Sequence, residues 1–209
     1  MPERRSQRCL AAGLMLSIAL PVHAQTTTVT TYAGYRGSGQ GLRSSTPSDV
    51  PLRLASSAAG SLSIDWALDS ARQLELFASN QQTELLTSAA GGAAPQRLPI
   101  RLSHLHVGGT NFIEGRVGHG AYVVGGLGVT QLTPGLAGYE SEIRLSMNLG
   151  VGYQWSLSPL MALRTELRGY ATLINSSGSF LCSGGGCTVS IKGNTLTQAE
   201  ALLGLAWSF

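Results

Sequence analysis

From Glu142 to Trp155 the chain alternates without interruption. Ile143, Leu145, Met147, Leu149, Val151, Tyr153 and Trp155 are apolar or aromatic, and Glu142, Arg144, Ser146, Asn148, Gly150, Gly152 and Gln154 between them are polar or glycine. A period of two puts one class of residue on each face of a strand, whereas a helix would mix the classes around its girdle. Fourteen residues at roughly 3.3 Å each span about 45 Å. That is long for a soluble strand and enough to cross a bilayer at a tilt. Met161 to Leu173 repeats the design: Leu163, Thr165, Leu167, Gly169, Ala171 and Leu173 share one face, and Arg164, Glu166, Arg168, Tyr170 and Thr172 share the other. Between Thr197 and Phe209, Ala199, Ala201, Leu203, Leu205, Trp207 and Phe209 alternate with Gln198, Glu200, Leu202, Gly204, Ala206 and Ser208.

Five weaker runs bring the expected strand count to eight. They are Thr28–Arg36, Leu62–Leu68 around Asp65, Leu74–Ser79 around Glu75, His104–Gly108, and Val123–Thr130. The connections alternate in length. Residues 69–72, 114–118 and 156–160 are short turns, and 37–59, 82–99, 134–141 and 175–195 are longer segments rich in Gly, Ser, Thr, Pro and Ala, which read as loops. Short turns at one end and long loops at the other predict an all-β, up-and-down antiparallel barrel of eight transmembrane strands, with both chain ends on the short-turn, periplasmic side.

The start of the chain changes the compartment. Arg4, Arg5 and Arg8 precede the apolar run Leu10–Leu20, Pro21 breaks it, and Val22 and Ala24 stand at the −3 and −1 positions before Gln25. That order predicts a cleaved signal peptide over residues 1–24, followed by one barrel domain over 25–209. The apolar run is about half of the roughly 20 residues a spanning helix needs. Cys9 lies before it and not at the cleavage point, which argues against a lipoprotein anchor. The leader holds three of the 14 basic and one of the 11 acidic residues, so the remainder is near neutral and carries no nucleic-acid signal. Cys182 and Cys187 remain in CSGGGC, an even number in an exported chain, which predicts a disulfide that shapes a loop.

Hydrocarbon offers no hydrogen-bond partner, so a sheet in lipid must close on itself. The apolar faces then point outward, the reverse of a soluble lipocalin-like barrel, which is the competing reading of the same alternation. Asp65, Glu75, Arg144, Arg164, Glu166, Arg168 and Glu200 fall on the inward faces with nearly balanced signs. An eight-stranded barrel has room inside for side chains and little more, so these charges predict a filled lumen. Inward glycines 126, 128, 150, 152 and 204 are expected to leave room for the long arginines. Tyr153, Trp155, Trp207 and Phe209 sit near the periplasmic strand ends, a height that suits the membrane interface.

The final strand, ending in Leu205-Ala206-Trp207-Ser208-Phe209, the segment GGLGVTQLTP at 125–134, the strand Leu163-Arg164-Thr165-Glu166-Leu167-Arg168-Gly169-Tyr170 and the CSGGGC loop together resemble the small outer-membrane β-barrels of proteobacteria, the OmpA-transmembrane-like and opacity-protein-like porin group. The resemblance implies residence in the Gram-negative outer membrane. It also implies contact with membrane lipid and lipopolysaccharide, and a monomeric barrel. Leu203, Leu205, Trp207 and Phe209 would be the C-terminal signal read by the barrel-assembly machinery during insertion. Host or cell-surface ligands are the partners such loops imply. No motif here is specific for an activity.

Candidate chemistry is sparse. His104 and His106 share a strand face, but no Ser motif or further ligand accompanies them, and both read as satisfied interior groups rather than a metal or catalytic pair. His119 falls at a turn and reads as solvated. GGLG at 125–128 has no helix start after it and is not a phosphate loop. No catalytic, cofactor or metal site is expected. The expectation is a non-enzymatic outer-membrane protein acting through its external loops. A narrow channel for small solutes is the alternative, and a lipid A-modifying enzyme comes third.

Overall fold

The computed structural model describes residues 27–39, 42–44, 51–87, 97–136, 139–174, 182–183, 186–187, 191–192 and 195–209. The leader and its cleavage point lie outside the described residues. Eight long antiparallel strands form the wall: β1 (Thr27–Ser38), β2 (Ser57–Ala67), β3 (Arg72–Thr87), β4 (Arg97–Phe112), β5 (Gly120–Pro134), β6 (Glu142–Ser156), β7 (Met161–Leu173) and β8 (Thr195–Ser208). Each pairs with the next in sequence, and β8 returns to β1 through the register Val29↔Trp207 to Ser38↔Gln198. Reciprocal main-chain hydrogen bonds between Thr27 and Phe209 complete the seam. The meander is therefore closed and leaves the wall no free edge, as a sheet in lipid requires.

The turns at the end holding both termini are short for identifiable reasons. Asp69 Oδ1 accepts the Ala71 and Arg72 amides at 2.8 Å each, and Oδ2 accepts Arg72 Nε at 2.7 Å. The Ala71 amide, seconded by the Arg72 side chain, holds the Asp69 carboxyl below its usual range. Ser158 Oγ accepts the Leu160 and Met161 amides in the same manner. The β4–β5 turn passes through the left-handed region at Gly115, Gly118 and Gly120, with φ of 69°, 92° and 94°, where a Cβ would be strained.

Outward positions are apolar. Leu149 is 73% exposed and Leu127 68%, and Ile143, Leu145, Val151, Leu167 and Leu203 are also largely exposed. Contiguous apolar surface on this scale suits hydrocarbon and not water, which decides against the soluble-barrel reading. The inward face of the same strands carries the polar residues.

Two expectations need correction. Residues 82–99 are not all loop: β3 runs on to Thr87 and β4 starts at Arg97, with the pair in register as far as Leu86↔Arg97. Within 37–59, the short strands Leu42–Ser44 and Pro51–Leu54 add to the edge of β3 (Leu54↔Leu85, Leu42↔Leu52), and Ile191–Lys192 joins Leu42–Ser44 (Ile191↔Ser44). The wall thus rises beyond the apolar belt on one side. Alternation does persist there in Gln81, Thr83 and Leu85, all buried, but two of the inward residues are themselves polar and the outward Gln82 and Glu84 are polar too, so the amphipathic contrast fades.

The inward glycines, likewise, do not make room for arginine side chains: 126, 128 and 150 lie against the backbone of the neighbouring strand, and 152 and 204 face tyrosines. A Cβ on Gly152 would stand 2.4 Å from Tyr122 Cζ, and one on Gly204 would stand 2.4 Å from Tyr32 Cδ1. Both rings are held by hydrogen bonds to Glu166 and cannot retreat. Gly152→Ala is expected to cost about 1–3 kcal/mol as an overpacked core does. Gly60→Ala, on an outward position where an added Cβ meets nothing within 4 Å, is expected to be neutral or slightly stabilising. Urea unfolding in detergent micelles compares them, and equal midpoints would contradict the packing described.

Candidate functional site

Among the described residues the lumen is the one place where polar side chains converge from all eight strands, and it is layered. Nearest the short turns, β4 and β5 contribute Phe112, Tyr122 and Val124, a buried apolar floor. An open depression of about 810 Å³ lies beneath, among Arg116, His119, Ser158 and Met161, and reaches inward as far as Thr28, Gln154 and Ala162.

Above the floor stands an ionic layer. Arg164, on β7 and fully buried, places Nη1 2.8 Å from Asp65 Oδ2 across the lumen and 3.2 Å from Thr30 Oγ1, and its Nε donates to Tyr122 OH at 3.2 Å. Two residues on, Glu166 Oε1 accepts the hydroxyls of Tyr32 (2.7 Å) and Tyr122 (2.8 Å). Its other oxygen takes Arg168 Nη2 at 2.6 Å. Arg168 also reaches Glu75 on the opposite wall, with Nη1 to Oε1 at 3.0 Å and Nη2 to Oε2 at 3.2 Å, and its guanidinium lies 3.8 Å above the Phe77 ring. Burying charges is costly unless they are paired and hydrogen-bonded, and each of these has an oppositely charged partner, Glu75 through Arg168 alone.

Arg36 of β1 makes the next layer. Its Nη2 lies 2.7 Å and its Nε 3.1 Å from Glu200 Oε2, it contacts Ser79 Oγ, and its guanidinium sits over the Tyr170 ring at 4.6 Å. Tyr170 OH donates to the same Glu200 oxygen at 2.6 Å. The His104 and His106 rings stack on Tyr170 and on each other. His104 Nδ1 is 2.8 Å from Thr130 Oγ1, and His106 Nε2 is 2.8 Å from Ser146 Oγ. The latter is the spacing of a nucleophile and its base, but His106 Nδ1 meets no protein partner that could orient the ring, and both groups are buried.

Over this, on the loop side, lies a second apolar layer. Leu54, Leu85, Ile100, Leu102, Leu132, Ile174 and Leu196 are all buried and mutually packed, with Leu98 and Tyr139 against them.

Asp65, Glu75, Arg164, Glu166, Arg168 and Glu200 are thus brought together. Arg144 is not: it is half-buried near the outer end of β6 and pairs with Glu142 at 2.6 Å. Its inward parity brings it to Glu142 on its own strand and not to the charges of the central layer. Arg36 was missed, as were Tyr32 and Tyr122. Thr28, Thr30, Tyr32 and Arg36 do share a parity, but the opposite face (Thr27, Val29, Thr31, Ala33, Tyr35) is too weakly apolar to mark which side is inward. Leu203, Leu205 and Trp207 face outward on β8, and Phe209, just past its end, is 79% exposed. Cys182 and Cys187 stand opposite one another in a short antiparallel pair of main-chain segments. Their side chains lie outside the described residues. Among the described residues no group of three or more potential ligands could hold a metal ion.

No family model matches the chain, and no curated protein is significantly similar to it. Solved structures are similar in fold. Neisserial surface protein A is matched with a TM-score of 0.56 at 14% identity over 88% of this chain and 97% of that one. The outer membrane protein OprG from Pseudomonas aeruginosa gives 0.55 at 12% identity, covering 88% and 96%. The outer membrane protein AlkL, determined in lipid bilayers, gives 0.59 at 8% identity, covering 88% and 90%. The fold is that of the small outer-membrane barrels. The outward leucine belt and the closed wall suit a membrane-spanning barrel of that kind.

Proposed function

We propose that this barrel is a non-enzymatic outer-membrane scaffold that presents its external, β-walled loops for surface interaction. The observation that supports this reading is the filled lumen: Arg164 and Arg168 are fully buried and paired across it, and Arg36 is fully buried and paired with Glu200 on the adjacent strand, between two packed apolar layers. A conduit for ions or polar solutes would need a continuous wet path, and moving any of these side chains would leave a buried charge unpaired. Function therefore moves to the outer side, where long connections on a rigid scaffold commonly carry it. The opposed positions of Cys182 and Cys187 favour a disulfide that ties one of these connections. Lipopolysaccharide is the surrounding lipid, the barrel-assembly machinery is the partner at insertion, and the barrel works as a monomer.

Planar-bilayer recording tests the closed lumen. The purified barrel is expected to give no stepwise openings over the range of applied voltage. Reproducible unitary conductance would replace the scaffold with the narrow-channel reading. Lipid A mass profiles that change when the protein is expressed would replace it with the enzyme reading, in which the buried Ser146–His106 pair would have to become accessible.

A further inference from the structure

The outer ends of the strands are not alike. On β4, Arg97, Arg101, Ser103, Leu105 and Val107 share the outward face, and Arg97 and Arg101 are exposed. Leu105 and Val107 belong to the apolar belt, being 50% and 56% exposed. Ser103 begins the polar zone, in a row with Asn80 on β3 and Gln131 on β5. Asn80 Nδ2 donates to Ser103 Oγ at 2.7 Å in that row. Arg101 is the next outward residue above, flanked by Gln82 and Thr133. Four residues at about 3.3 Å along a tilted strand put it roughly 10 Å above Leu105, at the height of headgroups. Arg97 is two outward positions higher, beyond Pro99, in the same row as Leu86 and the exposed Arg53 of the added strand Pro51–Leu54. The register continues this sheet through Arg43 and Lys192. Glu84 is the one acid on this outward face, and it pairs with Arg97 at 3.2 Å while both remain largely exposed.

Among the described residues, the outward faces of β1, β2, β5, β6, β7 and β8 carry no basic side chain. The external outward-facing arginines are therefore gathered on one side of the barrel, just above its apolar belt. An arginine fork binds phosphate oxygens bidentately. The anion that stands at this height in the outer leaflet, beside acyl chains resting on Leu105 and Val107, is the phosphorylated glycolipid headgroup.

We propose that Arg101, Arg97 and Arg53 form a binding face for the phosphates of lipopolysaccharide, with Arg101 at the lipid A phosphate and the other two on anionic groups above it. The proposal rests on the outer-membrane orientation given above and deepens it by naming residues. Glu84 sets the geometry of Arg97 and tempers its charge.

The test uses the full folded barrel in phosphatidylcholine vesicles containing either diphosphoryl lipid A or its dephosphorylated form. Lipid A retained per barrel is measured after gel filtration in mild detergent with EDTA present, which removes bridging cations. The wild type is expected to retain the diphosphoryl form and not the dephosphorylated one. R53Q/R97Q/R101Q is expected to lose about tenfold in retention, equivalent to about 1.4 kcal/mol. R72Q/R116Q, on the periplasmic side, is expected to match the wild type. Equal retention of the two lipid A forms, or unchanged retention by the triple variant, would overturn the proposal. So would inorganic phosphate or a sulfated polysaccharide displacing lipid A at equal charge concentration, since the site would then read charge and not the lipid. A barrel that does not insert at all would show no heat-dependent shift in gel mobility, so failure of the membrane reading is seen before retention is measured. Should the triple variant fail that mobility check, R101Q alone is expected to lose about threefold.

Discussion

Replacing Arg168 by Met is expected to lower the unfolding free energy by about 3–5 kcal/mol, the usual cost of leaving a buried charge without its partner. Arg168 is the only described cation within reach of Glu75, and it holds Glu166 by two hydrogen bonds as well. Methionine would still fill the space beside Phe77, so lost packing contributes little. What remains is a carboxylate pair facing inward between two apolar layers. The double variant R168M/E75Q should recover much of the loss, because Glu166 keeps Arg164 at 3.9 Å and the hydroxyls of Tyr32 and Tyr122. The two substitutions are in contact, so their effects should fall well short of additive. Reversible urea unfolding in micelles, followed by fluorescence of Trp66, Trp155 and Trp207, reads the cycle. An R168M midpoint equal to the wild type would mean that the ionic layer adds nothing net to stability.

The second large effect is on the outside. Leu149 lies midway along β6, between Gly125 and Gly169 on its neighbours, and is 73% exposed. Leu149→Arg should cost about 2–4 kcal/mol, the penalty for an arginine at the bilayer midplane. Leu157→Arg, at a position also largely exposed (60%) but in the β6–β7 turn, should cost about 0–1 kcal/mol, because the guanidinium reaches water and headgroups. Folding into vesicles over a urea series measures both. A soluble barrel would tolerate either substitution, so equal midpoints for L149R and L157R would remove the membrane from the description of this fold.

These two positions also show how the chain specifies its structure. Leu149 and Asn148 are neighbours in sequence and face opposite media. A strand's period of two is enough to say so, because in β6, β7 and β8 the apolar and polar classes separate cleanly. The strand count, the meander and the side of the short turns follow from the pattern of runs and connections, and the inward direction of Arg164, Glu166, Arg168 and Glu200 follows once strand length and the expected leader point to a membrane. So does closure, since lipid tolerates no unpaired edge.

Which inward residues meet one another did not follow. Asp65 and Arg164 are 99 positions apart, and Arg36 and Glu200 are 164 apart. Their pairing depends on strand stagger and barrel circumference, which no local pattern encodes. Tertiary structure decided that Arg36 belongs to the ionic layer and that Arg144 does not. It decided that glycines 152 and 204 face tyrosine rings, and that an apolar layer from Leu54 to Leu196 closes the outer end. Alternation records only the medium each side chain faces. The partner it finds inside a narrow lumen is set by the height at which its strand crosses the membrane, and that is a property of the closed wall.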